Sequence, residues 1–525
     1  MKDERPFYIT TPIYYPSNKF TLGNCYTTIA CDTIARFNRM LGRDVFYLTG
    51  TDEHGQKIMK KAQDAGLSEL EYLDAMINDA KNLWSILDIS YDDFIRTTES
   101  RHEETVKYVI NKLNEKGYIY KDNYKGWYCT PCESFWTEAQ LVDHKCPDCH
   151  REVHEDEEEA YFFKLSLFTD RIINYYKENP NFLEPKSRVN EMINNFLKDG
   201  LKDLCISRST VSWGIGLPMD ETHTIYVWAE ALINYISALG YGTTQDERFK
   251  KYWPCDVHVV GKEIVRFHSI TWPAILMALD LPLPKQIVGH GWLLFGGEKL
   301  SKSKENITKE ILDPRILCAR YGSDPIRLYL TKEIPFGSDG IYTQDLFFKT
   351  YNSCLSNTIG NLVSRVLSMI EQYNDGFIPS PTIEEEIDKN YKEDILKLTN
   401  EVFENMSKYD ISTTINKVLD MFNRSNKYID ETTPWVLAKD ETKKNRLNTV
   451  LYNLSDVIIK SSTLLLPFIT KQTKKIFEYF GIDIPNNFEN ILLFGSLPSG
   501  IKVAKGENLY ARLNIEKENE ELAKL

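Results

Sequence analysis

The chain has 525 residues, with 63 Lys and Arg against 76 Asp and Glu, a formal net charge of −13. Hydrophobic residues at 42% and charged residues at 26% are ordinary globular proportions; they exclude a largely disordered chain, and the length allows about three or four domains. The acidic balance argues against a non-specific nucleic-acid coat, no apolar run approaches the roughly 18 residues of a membrane span, and the charged start Met1–Arg5 is no signal peptide, so a cytoplasmic protein is expected.

The first 60 residues read as one βαβ unit. Phe7–Thr11 is a β-rich run stopped by Pro12 and Pro16. Tyr26, Ile29, Ala30, Thr33, Ile34, Phe37 and Leu41 then recur at helical spacing up to Gly42, and Val45–Leu48 is a continuous apolar strand of a buried parallel sheet. Ligands of such sheets bind beyond the carboxyl ends of the strands, which here carry Thr11–Tyr15 and Gly50–Gly55. From about Gly117 to Thr222 the texture changes to cysteine pairs and an acidic run, Glu155–Glu159, as in an insertion. Strand signals resume at Ile225–Trp228, Val257–Gly261 and Gln286–Val288. Past Arg327 helical periodicity takes over. The series Ile387–Met406, Ile411–Ile429 and Leu447–Leu465 predict a helical bundle.

Cys129, Cys132, Cys146 and Cys149 form C-x2-C-x13-C-x2-C, a spacing that closes a tetrahedral four-thiolate zinc shell. No position is left for water, so the zinc expected here is structural, one per chain. Lys299-Leu300-Ser301-Lys302-Ser303 is a loop that can bring two point charges to a polyphosphate. Thr21–Asn24 opens a helix whose free N–H groups suit a phosphate, with Gly23 allowing close approach. Asp52, at a strand end, can hold an ammonium group or cap a helix; Trp228, Tyr235, Phe267, His268 and Trp272 suit a pocket or an ordinary core.

Tyr8–Pro16, Tyr47–Lys57, Val259–His268, Gly289–Trp292, Pro335–Gly340 and Tyr428–Lys439 resemble segments of bacterial methionyl-tRNA synthetases, in the same order and over nearly the whole chain. The resemblance implies an α/β fold: a Rossmann-like parallel-sheet catalytic domain of class I in two halves, residues 1–116 and 223–292. A zinc-bearing connective insertion would occupy 117–222 and a lysine-loop and stem-contact region 293–353. A helical anticodon-binding domain would cover 354–512, before a charged tail, 513–525. It implies a methionine–tRNA ligase that makes methionyl-adenylate from methionine and Mg²⁺-bound ATP and charges tRNA(Met), the initiator included. A monomer is expected, because within this sequence only the charged tail, and no dimerising domain, follows Arg512.

By the same resemblance, Thr21, Gly23, Asn24, Glu263, Lys299, Ser301, Lys302 and Ser303 bind ATP, and Thr21, Asn24, Lys299 and Lys302 serve catalysis. Methionine is held by Ile13, Tyr15, Asp52, Trp228, Ala231, Leu232, Tyr235, Ile264, Phe267, His268 and Trp272. Asn361, Arg365 and Trp435 read the anticodon. Departures from the family pattern are Thr21 and Asn24 in place of two His, Leu300 for Met, Glu230 for Asp and Glu305 for Gly. The alternatives are a class I synthetase for another amino acid and a non-catalytic tRNA-binding paralogue, against which Lys299, Lys302 and Asp52 speak.

Overall fold

The computed structural model describes residues 5–130, 134–136, 138–147, 149–295, 298–299, 313–522 and 524. Its centre is a six-stranded parallel sheet. Strands β1 (Phe7–Thr10), β2 (Val45–Thr51) and β3 (Asp93–Arg96) form one half, in the order β3-β2-β1. Strands Val257–Gly261, Ile287–His290 and Leu183–Glu184 continue from β1. The strands are apolar without alternation because both faces are covered. Phe7, Ile9, Tyr47, Val257 and Val288 enter a core shared with the helical half, while Tyr8, Phe46, Leu48, Val260 and Ile287 pack towards residues 110–283 on the other side.

Residues 117–222 contribute an antiparallel four-stranded sheet in which Ile119–Cys129 pairs along its length with His154–Phe163. They also supply Leu183–Glu184 to the edge of the central sheet. The Ile225–Trp228 strand expected from sequence is not formed. Asp220–Ile225 is the strand, in a small separate sheet, and Val227–Ala231 is already helical. A four-residue apolar run fits a buried helical turn as well as a strand, and here Tyr226 is the last extended residue before the turn.

Helices Glu386–Ser407, Ile411–Thr432 and Lys444–Leu465, each 22 residues long, bury the predicted apolar stripes in a bundle. One buried charge pins it to the sheet half: Arg327 donates to the carbonyls of Pro467 and Phe468 and meets Asp32 at 2.7 Å. Asp32 lies on helix α1 (Leu22–Met40), which follows β1, so the helix whose N-terminus faces the site is anchored from behind.

Candidate active site

Beyond the carboxyl ends of β1 and β2 the two chain segments stay paired. Tyr14 N–H donates to Gly50 O and Asp52 N–H to Tyr14 O, both at 2.9 Å. That pairing brings Ile13 and Tyr15 beside Asp52. The next strand ends, with helix Val227–Ala231 and the turns after Gly261, close a cleft of about 430 Å³ around them.

Thr21, Gly23, Asn24, Ile13, Tyr15, Asp52, Trp228, Ala231, Leu232, Tyr235, Glu263, Ile264 and His268 all line this one cleft. Phe267 and Trp272 stand behind it. Phe267 lies flat on Trp228 at 3.9 Å, and Trp272 is fully buried 6.0 Å from Tyr235. Cys132, Ser301, Lys302 and Ser303 lie outside the described residues, as does the Lys299 side chain.

The hydrogen bonds assign protons at the pocket floor. His268 Nδ1 lies 2.9 Å from the Ile264 carbonyl, an acceptor only, so Nδ1 carries the proton. Nε2 is then free to accept from the Tyr235 hydroxyl at 2.6 Å. Burial pulls the His268 pKa down to about 4 and holds it neutral. At the start of α1, Asn24 Oδ1 accepts from Thr21 N–H at 3.0 Å, which fixes the amide and leaves its NH2 as a donor. A Cβ on Gly23 would meet only Thr21 Oγ1, at 3.6 Å, so protein packing does not itself demand glycine there.

Glu263 accepts from Trp292 Nε1 at 2.6 Å, while Lys262 lies 3.8 Å over the Trp292 ring and 2.7 Å from Asp339. Trp292, Tyr14, Tyr26, Thr27, Lys57, Asn234 and His290 also line the cleft, and sequence reasoning assigned them nothing. Of these, Tyr14, Lys57, His290 and Trp292 fall within the resembling segments Tyr8–Pro16, Tyr47–Lys57 and Gly289–Trp292, and Tyr26, Thr27 and Asn234 within none. The Cys129, Cys146 and Cys149 sulfurs lie within 4.8 Å of one another. Cys129 and Cys149 are 3.5 Å apart, too far for a disulfide and suited to a shared ion.

The family described as tRNA synthetases class I (M) matches residues 7–157 and 151–367, and an anticodon-binding domain of tRNA ligase matches 388–505. A methionine–tRNA ligase of Clostridium acetobutylicum is 53% identical over 525 residues, covering 100% of this chain and 81% of its own length. That of Caldanaerobacter subterraneus subsp. tengcongensis is 54% identical over 521 residues, 99% of this chain and 81% of the relative. The Mycobacterium tuberculosis methionyl-tRNA synthetase structure in complex with methionyl-adenylate superimposes with a TM-score of 0.92 at 36% identity, covering 97% of this chain and 100% of that one.

Proposed function

The chain belongs to the class I methionyl-tRNA synthetases, and from that premise we propose how its residues divide the work. It is an ATP-dependent methionine–tRNA ligase: methionine becomes methionyl-adenylate and is passed to tRNA(Met). The observation that carries the assignment of roles is that Asp52, the Trp228 wall and the N-terminus of α1 share one cleft.

Asp52 takes the substrate ammonium. Trp228, Ala231, Leu232, Tyr235, Ile264 and His268 enclose the thioether, with Ile13 and Tyr15 beside it, and Phe267 and Trp272 support that wall. A neutral His268 keeps the pocket free of charge that a thioether could not solvate, and soft sulfur gains from the aromatic faces. The methionine carboxylate attacks the α-phosphorus of Mg²⁺-bound ATP in line; the new O–P bond forms as the bond to pyrophosphate breaks. Lys299 and Lys302, with Ser301 and Ser303, meet the charge developing on the phosphates. The fixed Asn24 amide donates to a phosphate oxygen, Thr21 and the space at Gly23 admit the chain of phosphates, and Glu263, oriented by Trp292, receives the ribose. A ribose hydroxyl of the tRNA terminal adenosine then attacks the adenylate carbonyl and AMP leaves. No protein nucleophile is needed, so catalysis is positioning and electrostatics.

Three converging buried or half-buried thiols fit a thiophilic cation, and with Cys132 would hold a structural zinc that cross-links residues 129–149. Asn361, Arg365 and Trp435 read the anticodon of tRNA(Met), initiator tRNA included. ATP–pyrophosphate exchange with each of the twenty amino acids, without tRNA, tests the cleft. Exchange with methionine alone is expected, and exchange with another amino acid would overturn the pocket.

A further inference from the structure

Two charged side chains meet behind the methionine site and take no part in the steps above. Glu230 is fully buried on helix Val227–Ala231, between Trp228 and Ala231 of the cleft wall. His54, two residues after Asp52, is 4% exposed, and its Nδ1 lies 2.9 and 3.1 Å from the two Glu230 oxygens. The backbone around His54 is held as well. Its carbonyl accepts from the Tyr15 hydroxyl at 3.0 Å, and the Glu53 carbonyl accepts from Trp213 Nε1 at 2.7 Å.

We propose that the His54–Glu230 pair is a positioning device that locks the Asp52 segment to the helix carrying Trp228, and so fixes the distance between the ammonium and thioether subsites. A bond across 176 residues links those two walls directly. It sets methionine affinity and leaves the ATP side, built on α1 and the Glu263 turn, untouched. The inference rests on the assignment of Asp52 and Trp228 to methionine.

The groups facing the pair are Glu53 on the His54 segment and His102 and Glu103 on helix Ser100–Glu115, with Arg208 lining a small cavity beside His54. Arg96 is engaged with Glu53 at 2.9 Å. Burial alone would lower the imidazole pKa, but the Glu230 carboxylate overrides it and holds His54 above its ordinary value; burial likewise raises Glu230. The pair therefore keeps its proton to higher pH than a free imidazole, and loses it as pH rises.

The test is Glu230→Gln, nearly isosteric, against Glu230→Asp, shorter but still charged, in methionine-dependent pyrophosphate exchange across pH. Glu230→Gln should raise the KM for methionine about tenfold, the scale of one charge-assisted hydrogen bond, with the KM for ATP unchanged. Its KM should already sit at the alkaline level of the parent at neutral pH. Glu230→Asp should recover part of the loss, which a purely space-filling role would not allow. Equal KM values and pH profiles in parent and Glu230→Gln would overturn the proposal, as would a parallel rise in both KM values. His54→Asn, expected to mimic Glu230→Gln, covers the case of a misfolded Gln variant. Asp52→Asn separates the two readings: if it leaves methionine KM unchanged, the pocket assignment falls; if it raises KM while Glu230→Gln does not, only the pair falls.

Discussion

All nine histidines precede residue 291, so the sheet half carries every imidazole and the helical half none. His102, His258, His268 and His290 are buried around or beneath the cleft, and burial pushes each pKa down, to about 3 for His102 and about 4 for His268. Buried carboxylates occur in both halves, Asp32, Glu53 and Glu230 in the sheet half and Asp388 and Asp456 in the helical half, which has them without any imidazole. Asp388 bridges its three long helices: it accepts from Tyr428 and meets Arg446 at 2.8 Å. The difference follows from what each half must do. A cleft for an apolar side chain beside a triphosphate needs polar groups that stay neutral in a dry floor, whereas away from that floor, in the bundle as at Asp32 and Arg327, permanent charge inside serves as structural ties.

Acid is the largest lever on that contrast. Each depressed imidazole is neutral when folded and takes a proton when unfolded, so stability falls as pH drops below about 6.5, by roughly 1.4 kcal/mol per unit per group until the folded pKa is reached. His54 and Glu230 oppose this with their raised values, but four groups outweigh two. Hydrogen exchange at about pH 5 should show Val257–Gly261 and Ile287–His290 losing protection before the long helices. Simultaneous loss would mean that the shared core makes both halves one cooperative unit.

Asp388→Ala attacks the other side of the comparison. It takes one of two carboxylates from the Arg446 guanidinium, itself 7% exposed and left with Glu385 at 2.9 Å, and removes the acceptor of Tyr428, which is stacked on Tyr391 at 4.1 Å. Breaking one partner of a buried pair costs about 3 kcal/mol or more, so the unfolding midpoint should fall while methionine-dependent exchange survives below it. A lost exchange activity in the still-folded variant would show that the bundle tunes the cleft.

How much of this was readable in the sequence differs between the halves for the same physical reason. The long helices were legible because Ile387 to Met406 or Leu447 to Leu465 repeat one period over about five turns, and β1 and β2 because their apolar runs end in Pro or Gly. Leu183–Glu184 was not, since a two-residue strand has no period, and Ile225–Trp228 was ambiguous for the same lack of length. In the site, Asp52 and Thr21–Asn24 could be placed because strand ends and helix starts are local signals. Thr27 bonded to His290 at 2.7 Å, Glu263 to Trp292 and His54 to Glu230 are contacts across 29 to 263 residues, and no local pattern announces them.

Trp435 sharpens the comparison with the smallest effect, because its substitution should separate the halves functionally without unfolding either. Thr433, at φ 44°, ends the long helix Ile411–Thr432, and Pro434 starts a short one that leaves the indole 40% exposed. A large aromatic on the surface contributes little to the fold, whereas an unpaired base can stack on it for about 1–3 kcal/mol. On the same half, Arg365 is steered by Asp430 at 3.3 Å, so its guanidinium is oriented while remaining a third exposed. Trp435→Ala should therefore lower kcat/KM for tRNA charging about 10- to 100-fold, and leave pyrophosphate exchange and the acid transition of the sheet half where they are. A fall in exchange to match would make the indole part of the common core and remove the distinction between a buried chemical site and an exposed reading surface.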